Sequence, residues 1–143
     1  MKALFVTHSI KIHASAEKVW QVLVDPAFTR QYMFGCDALS DWKVGSPLVW
    51  KGGDVVYVKG NIVEIEAPRL LKYTTIGVNM GFEDVPSNYL MMTYTLTPKG
   101  DGVVLEMSQG DYAQVIDGQK RYEHTIAGGD GLMPKIKALA EAN

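Results

Sequence analysis

Residues 8–26, HSIKIHASAEKVWQVLVDP, constrain the fold most, because they set two different hydrophobic periods on either side of a cap. Leu4, Val6, Ile10 and Ile12 share one parity, the period of a half-buried strand. His8 has that parity and is expected to point inward, whereas His13 has the opposite parity. Ser15 then offers an N-cap hydroxyl, and Ala16, Val19, Trp20 and Leu23 follow at the spacing of a helix packed along one side. Asp25 is placed to cap a second short helix with Pro26 in its first turn, carrying Phe28 and Tyr32 toward the same core.

Beyond these helices the pattern is that of a meander. Strands are expected over 39–43, 47–51, 55–66, 70–76, 89–98 and 103–109, separated by turn-rich connections such as Gly52-Gly53-Asp54 and Lys99-Gly100-Asp101-Gly102. Connections this short join antiparallel neighbours. Leu90, Met92, Tyr94 and Leu96 share one face of their strand and Val103, Leu105 and Met107 one face of the next, with Gln109 continuing that apolar set. The parity of 55–66 stays open, since Gly60 can mark a bulge. The segment 77–88, GVNMGFEDVPSN, exceeds ordinary hairpin length and shows Met80 and Phe82; a lid and a plain variable connection are both open.

From Asp117, expected as an N-cap, the chain reads as helical, and Tyr122, Ile126, Gly129, Met133, Ile136 and Ala140 form a single stripe. Gly in a helix costs roughly 1 kcal/mol relative to Ala, so Gly128, Gly129 and Gly131 need a reason. Two readings stand side by side. Either Gly129 makes room where one long helix crosses the sheet, leaving a void bordered by Tyr122 and Met133, or the helix breaks, with Asp130 capping a second segment that has Pro134 in its first turn.

A chain of 143 residues with 47% hydrophobic side chains is expected to fold as a single domain over 1–143. The net charge of -2 and the lack of a Lys/Arg cluster argue against nucleic acid as a partner. The apolar runs fall well short of the roughly 18 residues that span a bilayer, so stable membrane insertion is not expected and the chain is read as cytoplasmic. The single cysteine, Cys36, cannot form an internal disulfide and reads as a small apolar filler.

The residues Ile10-Lys11-Ile12, Ala14, Glu17, Val19-Trp20 and Asp25-Pro26, followed by Gly60-Asn61-Ile62-Val63-Glu64-Ile65, Pro68, Leu71 and Tyr73-Thr74, carry a family resemblance. So do Met92-Thr93-Tyr94-Thr95-Leu96-Thr97-Pro98, Gly102, Leu105, Gly131-Leu132 and Leu139. In this order they resemble the SRPBCC (START-like) superfamily and, within it, the homologues of the activator of heat-shock-protein-90 ATPase. The resemblance implies an α+β helix-grip fold: a curved antiparallel β-sheet wrapped around a long C-terminal helix, with two short helices after the first strand. The chain departs from the pattern at Leu132, where the family usually shows Trp, and Pro134 follows.

Members of that superfamily mostly hold apolar small molecules between sheet and helix. Some cyclise or dehydrate polyketides, a few act on the chaperone, and they share no catalytic motif. The sequence has no GxSxG, no HExxH and no Walker-type loop, and His8, His13 and His124 are too scattered to suggest a metal site. Neither catalytic residues nor a cofactor are therefore assigned. The expected role is a binding module whose cavity is lined by Trp50, Tyr73, Met92, Tyr94, Met107, Tyr122, Ile126, Gly129 and Met133, with His8 and Gln109 as polar anchors. The same residues also suit ordinary core packing. A cyclase or dehydratase would need an acid/base pair, for which His8, Tyr73, Tyr94 and Tyr122 are the inward candidates, and a chaperone-regulating domain would need a surface patch.

Overall fold

The computed structural model describes residues 2–127 and 131–142. Strand β1 (Val6–Ile12) buries its two ends and leaves Thr7 and Ser9 exposed. The Ser15 hydroxyl accepts the Lys18 N–H at 3.1 Å and opens α1 (Ala16–Val24). Its buried residues are Val19, Val22 and Leu23, while Trp20 is only partly buried; the helix is rotated slightly from the expected stripe. Asp25 serves two helices. Its backbone N–H closes α1 on Gln21 O, and its carboxylate accepts the Ala27 N–H at 2.9 Å to open α2 (Pro26–Tyr32).

The remaining strands are β2 (Asp37–Ser40), β3 (Pro47–Gly52), β4 (Val55–Glu66), β5 (Leu70–Gly77), β6 (Leu90–Lys99) and β7 (Gly102–Gly110). They form one seven-stranded sheet in the order β1-β7-β6-β5-β4-β3-β2, antiparallel at every pairing. Strand β2 lies earlier than the expected 39–43. The Ser40 hydroxyl accepts the Trp42 N–H at 3.0 Å and Trp42 adopts a positive φ of 56°, which turns the chain out of the ladder. Gly60 is not itself the bulge, since the register steps between Ile62 and Glu64. Gly60 instead permits a close approach: a Cβ there would lie 1.7 Å from Thr74 O. At this bend the Thr74 hydroxyl accepts the Asn61 N–H at 2.9 Å.

The concave face packs on the helices through Leu48, Ile62, Leu71, Leu96 and Leu105, against Val19, Val22, Leu23 and Ile136. The expected long C-terminal helix is two: α3 (Gly118–Ala127) and α4 (Met133–Glu141), with Gly131 and Leu132 outside either. Pro134 sits in the first turn of α4, where its missing N–H costs nothing. Asp130, expected as the cap, lies outside the described residues, and Leu132 holds the N-cap position without a side-chain bond. Asp117 precedes α3 with a positive φ of 53°, and Gly118 packs where a Cβ would meet Tyr112 O at 1.7 Å. The two helices divide the work. α4 buries Met133, Ile136 and Ala140 against β1 and α1, whereas α3 buries only Gly118 and leans on the turn at Tyr112–Gln114.

Candidate ligand-binding cleft

The sheet register places inward side chains in rows across several strands. One row runs Val6, Gln109, Met92, Tyr73, Ile62, and the next runs His8, Met107, Tyr94, Leu71, Ile65. Between this face and the helices lies a cleft of about 1010 Å³. Its floor is Val6, His8, Met107, Gln109, Met92, Tyr73 and Thr75; Trp50, Tyr57 and Val58 form one wall; Tyr32, Met33 and Cys36, with His124, Thr125, Leu132 and Lys135, form the other. A smaller hollow of about 400 Å³ lies against the same strands, lined mainly by the outward residues Thr7, Ser9, Thr93, Thr95, Glu106 and Ser108. The larger one is deeper in aromatic and methionine side chains and suits a ligand.

Of the residues expected at the site, His8, Trp50, Tyr73, Met92, Met107 and Gln109 come together around the cleft. Tyr94 and Met133 are absent from its lining and sit in the core, 2% and 0% exposed. Tyr122 packs edge-on against Tyr112 at 5.7 Å, in a separate small cluster, and Ile126 is 50% exposed. Both placements follow from α3 leaning on the Tyr112 turn rather than crossing the sheet. Gly129 lies outside the described residues.

Several lining residues had little signal in the sequence. Tyr57 and Val58 are neighbours yet both face the cleft, because the β3–β4 register steps from Trp50↔Val58 to Lys51↔Val56 and leaves Tyr57 as the extra residue. Phe34 is 86% exposed at the lip, with a positive φ of 50°, and the Lys135 ammonium lies 5.3 Å from its ring centroid. The inward turn of Tyr32 was legible from its spacing in α2.

The interior keeps its protons. Tyr32 donates its hydroxyl to Leu23 O at 2.9 Å, and burial, then the neighbouring Tyr94, pushes its pKa well above the ordinary value. Tyr73 is raised likewise, first by burial and then by Tyr94 and Tyr32. The Cys36 thiol is raised by burial and then by Asp37, the opposite of what a thiolate nucleophile needs. The Trp50 and Tyr73 rings stand 6.3 Å apart at 45° and make an aromatic corner. Among the described residues no group of three or more His, Cys, Asp or Glu could hold a metal ion.

None of 77–88 lines the cleft. Instead the segment is tied down from both sides. The Lys59 ammonium meets the Asp84 carboxylate at 2.5 Å, the Tyr89 hydroxyl donates to Asp84 at 2.6 Å, and the Arg121 guanidinium lies 4.1 Å from the Phe82 ring centroid and donates to Asn88 O at 3.3 Å. It acts as a strap between β4 and the base of α3, and Phe82 is half-buried rather than exposed.

The seven-stranded antiparallel sheet, two short helices and C-terminal α4 define a helix-grip domain of the START-like class with a cleft under its helices. Within that class the chain belongs to the family described as Activator of Hsp90 ATPase homolog 1-like protein, whose model matches residues 13–141. It is similar to a solution structure from Cytophaga hutchinsonii at 32% identity, covering 99% of this chain and 100% of that one, with a TM-score of 0.72. At the level of fold it is similar to a protein in the dynemicin biosynthetic locus (14% identity, 99% and 48% of the two chains, TM-score 0.78). The same holds for an HSP90 activator from Plasmodium falciparum (16% identity, 76% and 73%, TM-score 0.62). No curated protein matches the chain. No described helix is long and apolar enough to cross a membrane.

Proposed function

We propose that this chain, read as a single cytoplasmic domain, is a small-molecule binding protein that holds an apolar, partly planar ligand in the cleft, with His8 and Gln109 anchoring its polar groups. The observation that carries this reading is the lining: about 1010 Å³ faced by Trp50, Tyr57, Tyr73, Met92 and Met107 with few polar side chains between them. That is the composition of a ligand pocket, and methionines adapt their shape to what they cover. Burial holds Tyr32 and Tyr73 protonated, so neither is set up as a general base, and the Tyr32 proton is already donated to Leu23 O.

Titration with the neutral fluorophore phenylnaphthylamine tests it. Saturable enhancement is expected, and Met92→Trp or Met107→Trp, which fill the floor, are expected to abolish it while the fold persists. Enhancement that survives both substitutions sinks the cleft as the site. A second reading is favoured by the family itself: a protein partner of the chaperone type, docking on the surface. Heteronuclear NMR separates the two, since a cleft ligand shifts inward residues and a partner shifts outward ones.

A further inference from the structure

We propose that the ligand is two-ended: a flat apolar body with a polar group at each end, one taken by Gln109 with His8 beside it on β1 and the other by Tyr73, with Met92 beneath the middle. This rests on the binding reading and adds the ligand's shape. The register carries it. Gln109 pairs with Met92 and Met92 with Tyr73, so the two polar side chains stand on one row, same face, with a methionine between them. Two strand spacings separate their backbones, roughly 10 Å. Met107, two residues before Gln109 on the same face, widens the methionine patch on the β7 side.

The two ends differ chemically. The Gln109 amide both donates and accepts, and it is half-buried. The Tyr73 hydroxyl is neutral and deep, with the Tyr94 phenol as its hydrogen-bonding neighbour. Its ring stands in the aromatic corner with Trp50, where a ligand ring stacks and its hydroxyl or carbonyl joins the Tyr73–Tyr94 pair. A plain hydrocarbon leaves both groups without a ligand bond, and a single-headed amphiphile engages only one. A rigid body with oxygen functions at both ends engages both at once.

Biphenyl, monohydroxybiphenyl and dihydroxybiphenyl with its hydroxyls at opposite ends share one skeleton, and the last spans about two strand spacings. Binding of each to the intact chain is measured by calorimetry, for wild type, Tyr73→Phe, Gln109→Leu and the double variant. Each hydroxyl is expected to tighten binding roughly three- to ten-fold, the net value of one hydrogen bond. Each single variant is expected to lose about one such factor for dihydroxybiphenyl, and the double variant both. Biphenyl, which bonds to neither group, is expected to bind the variants at least as tightly as the wild type, which also shows the cleft intact. Dihydroxybiphenyl binding no tighter than monohydroxybiphenyl, or variants that weaken biphenyl equally, overturns the two-ended ligand and leaves the binding module standing. Failure of all three probes to bind the wild type overturns both.

Discussion

At single residues, burial decides which substitutions matter. Leu23 is 2% exposed in the core, so Leu23→Ala is expected to cost about 2–5 kcal/mol in urea unfolding. Trp20, larger but only partly buried, is expected to cost less, about 1–3 kcal/mol as Ala; the reverse order would show the helix rotated the other way. Gly60→Ala is a sharper case. The added methyl meets a backbone carbonyl, which cannot swing aside as a side chain does, so the β4–β5 bend must open and soluble expression should drop. Sequence alone marked Gly60 as special without saying how, because a bulge and a close approach both call for glycine and only the register tells them apart.

Among the helices, short-range signals fix where an element begins, whereas long-range contacts fix where it sits. Ser15 and Asp25 cap the helices the sequence placed after them, since a cap depends on neighbours within four residues. The seat of α3 depends instead on Tyr112 and on the strap through Phe82 and Asn88, which no periodicity announces, so Tyr122 and Ile126 were expected in a cleft they do not line. Arg121→Ala removes the strap's hold. Amides of α3 should then exchange faster in hydrogen-exchange experiments while those of β5, β6 and β7 stay unchanged; equal loosening of the sheet would contradict a local strap.

The end of α4 offers a pH test. The Glu141 carboxylate accepts the His13 N–H at 2.8 Å and the Lys137 ammonium at 2.6 Å. The His13 bond, then the Lys137 bond, lowers its pKa below the ordinary 4.5. A depressed folded pKa means the contribution is complete above 4.5 and fades as pH falls below it, when the native carboxylate protonates. Protection of the amides in the last turn of α4, taken relative to their intrinsic exchange rates at each pH, should fall below that pH in the wild type. Glu141→Gln should show the lower protection at neutral pH and lose the acid step.

For the whole molecule, a ligand that binds only the folded cleft must raise its stability. At 100 times its Kd, phenylnaphthylamine should add about 2.7 kcal/mol, visible as a higher Tm, and no shift at saturating probe would mean that binding is not to the native cleft. The fold class was legible from the alternation of short apolar runs, which any antiparallel meander must show. The cleft was half legible: parity found Met92, Met107 and Gln109, but the β3–β4 register step put Tyr57 there too, and the lip of Phe34 and Lys135 arises from helix ends far apart in the chain.

The pairing of β1 with β7 has a consequence for how the protein is made. The Leu4 N–H bonds the Asp111 carboxylate across 107 residues, and all the other strands are synthesised in between. At about 5–20 residues per second, a ribosome takes on the order of five to twenty seconds to deliver the partner of the first strand. Through that interval β1 has no neighbour to complete its ladder, while β2 to β6 can already pair in turn. During translation the amino-terminal strand is thus the stretch most open to capture by a chaperone or by a neighbouring nascent chain.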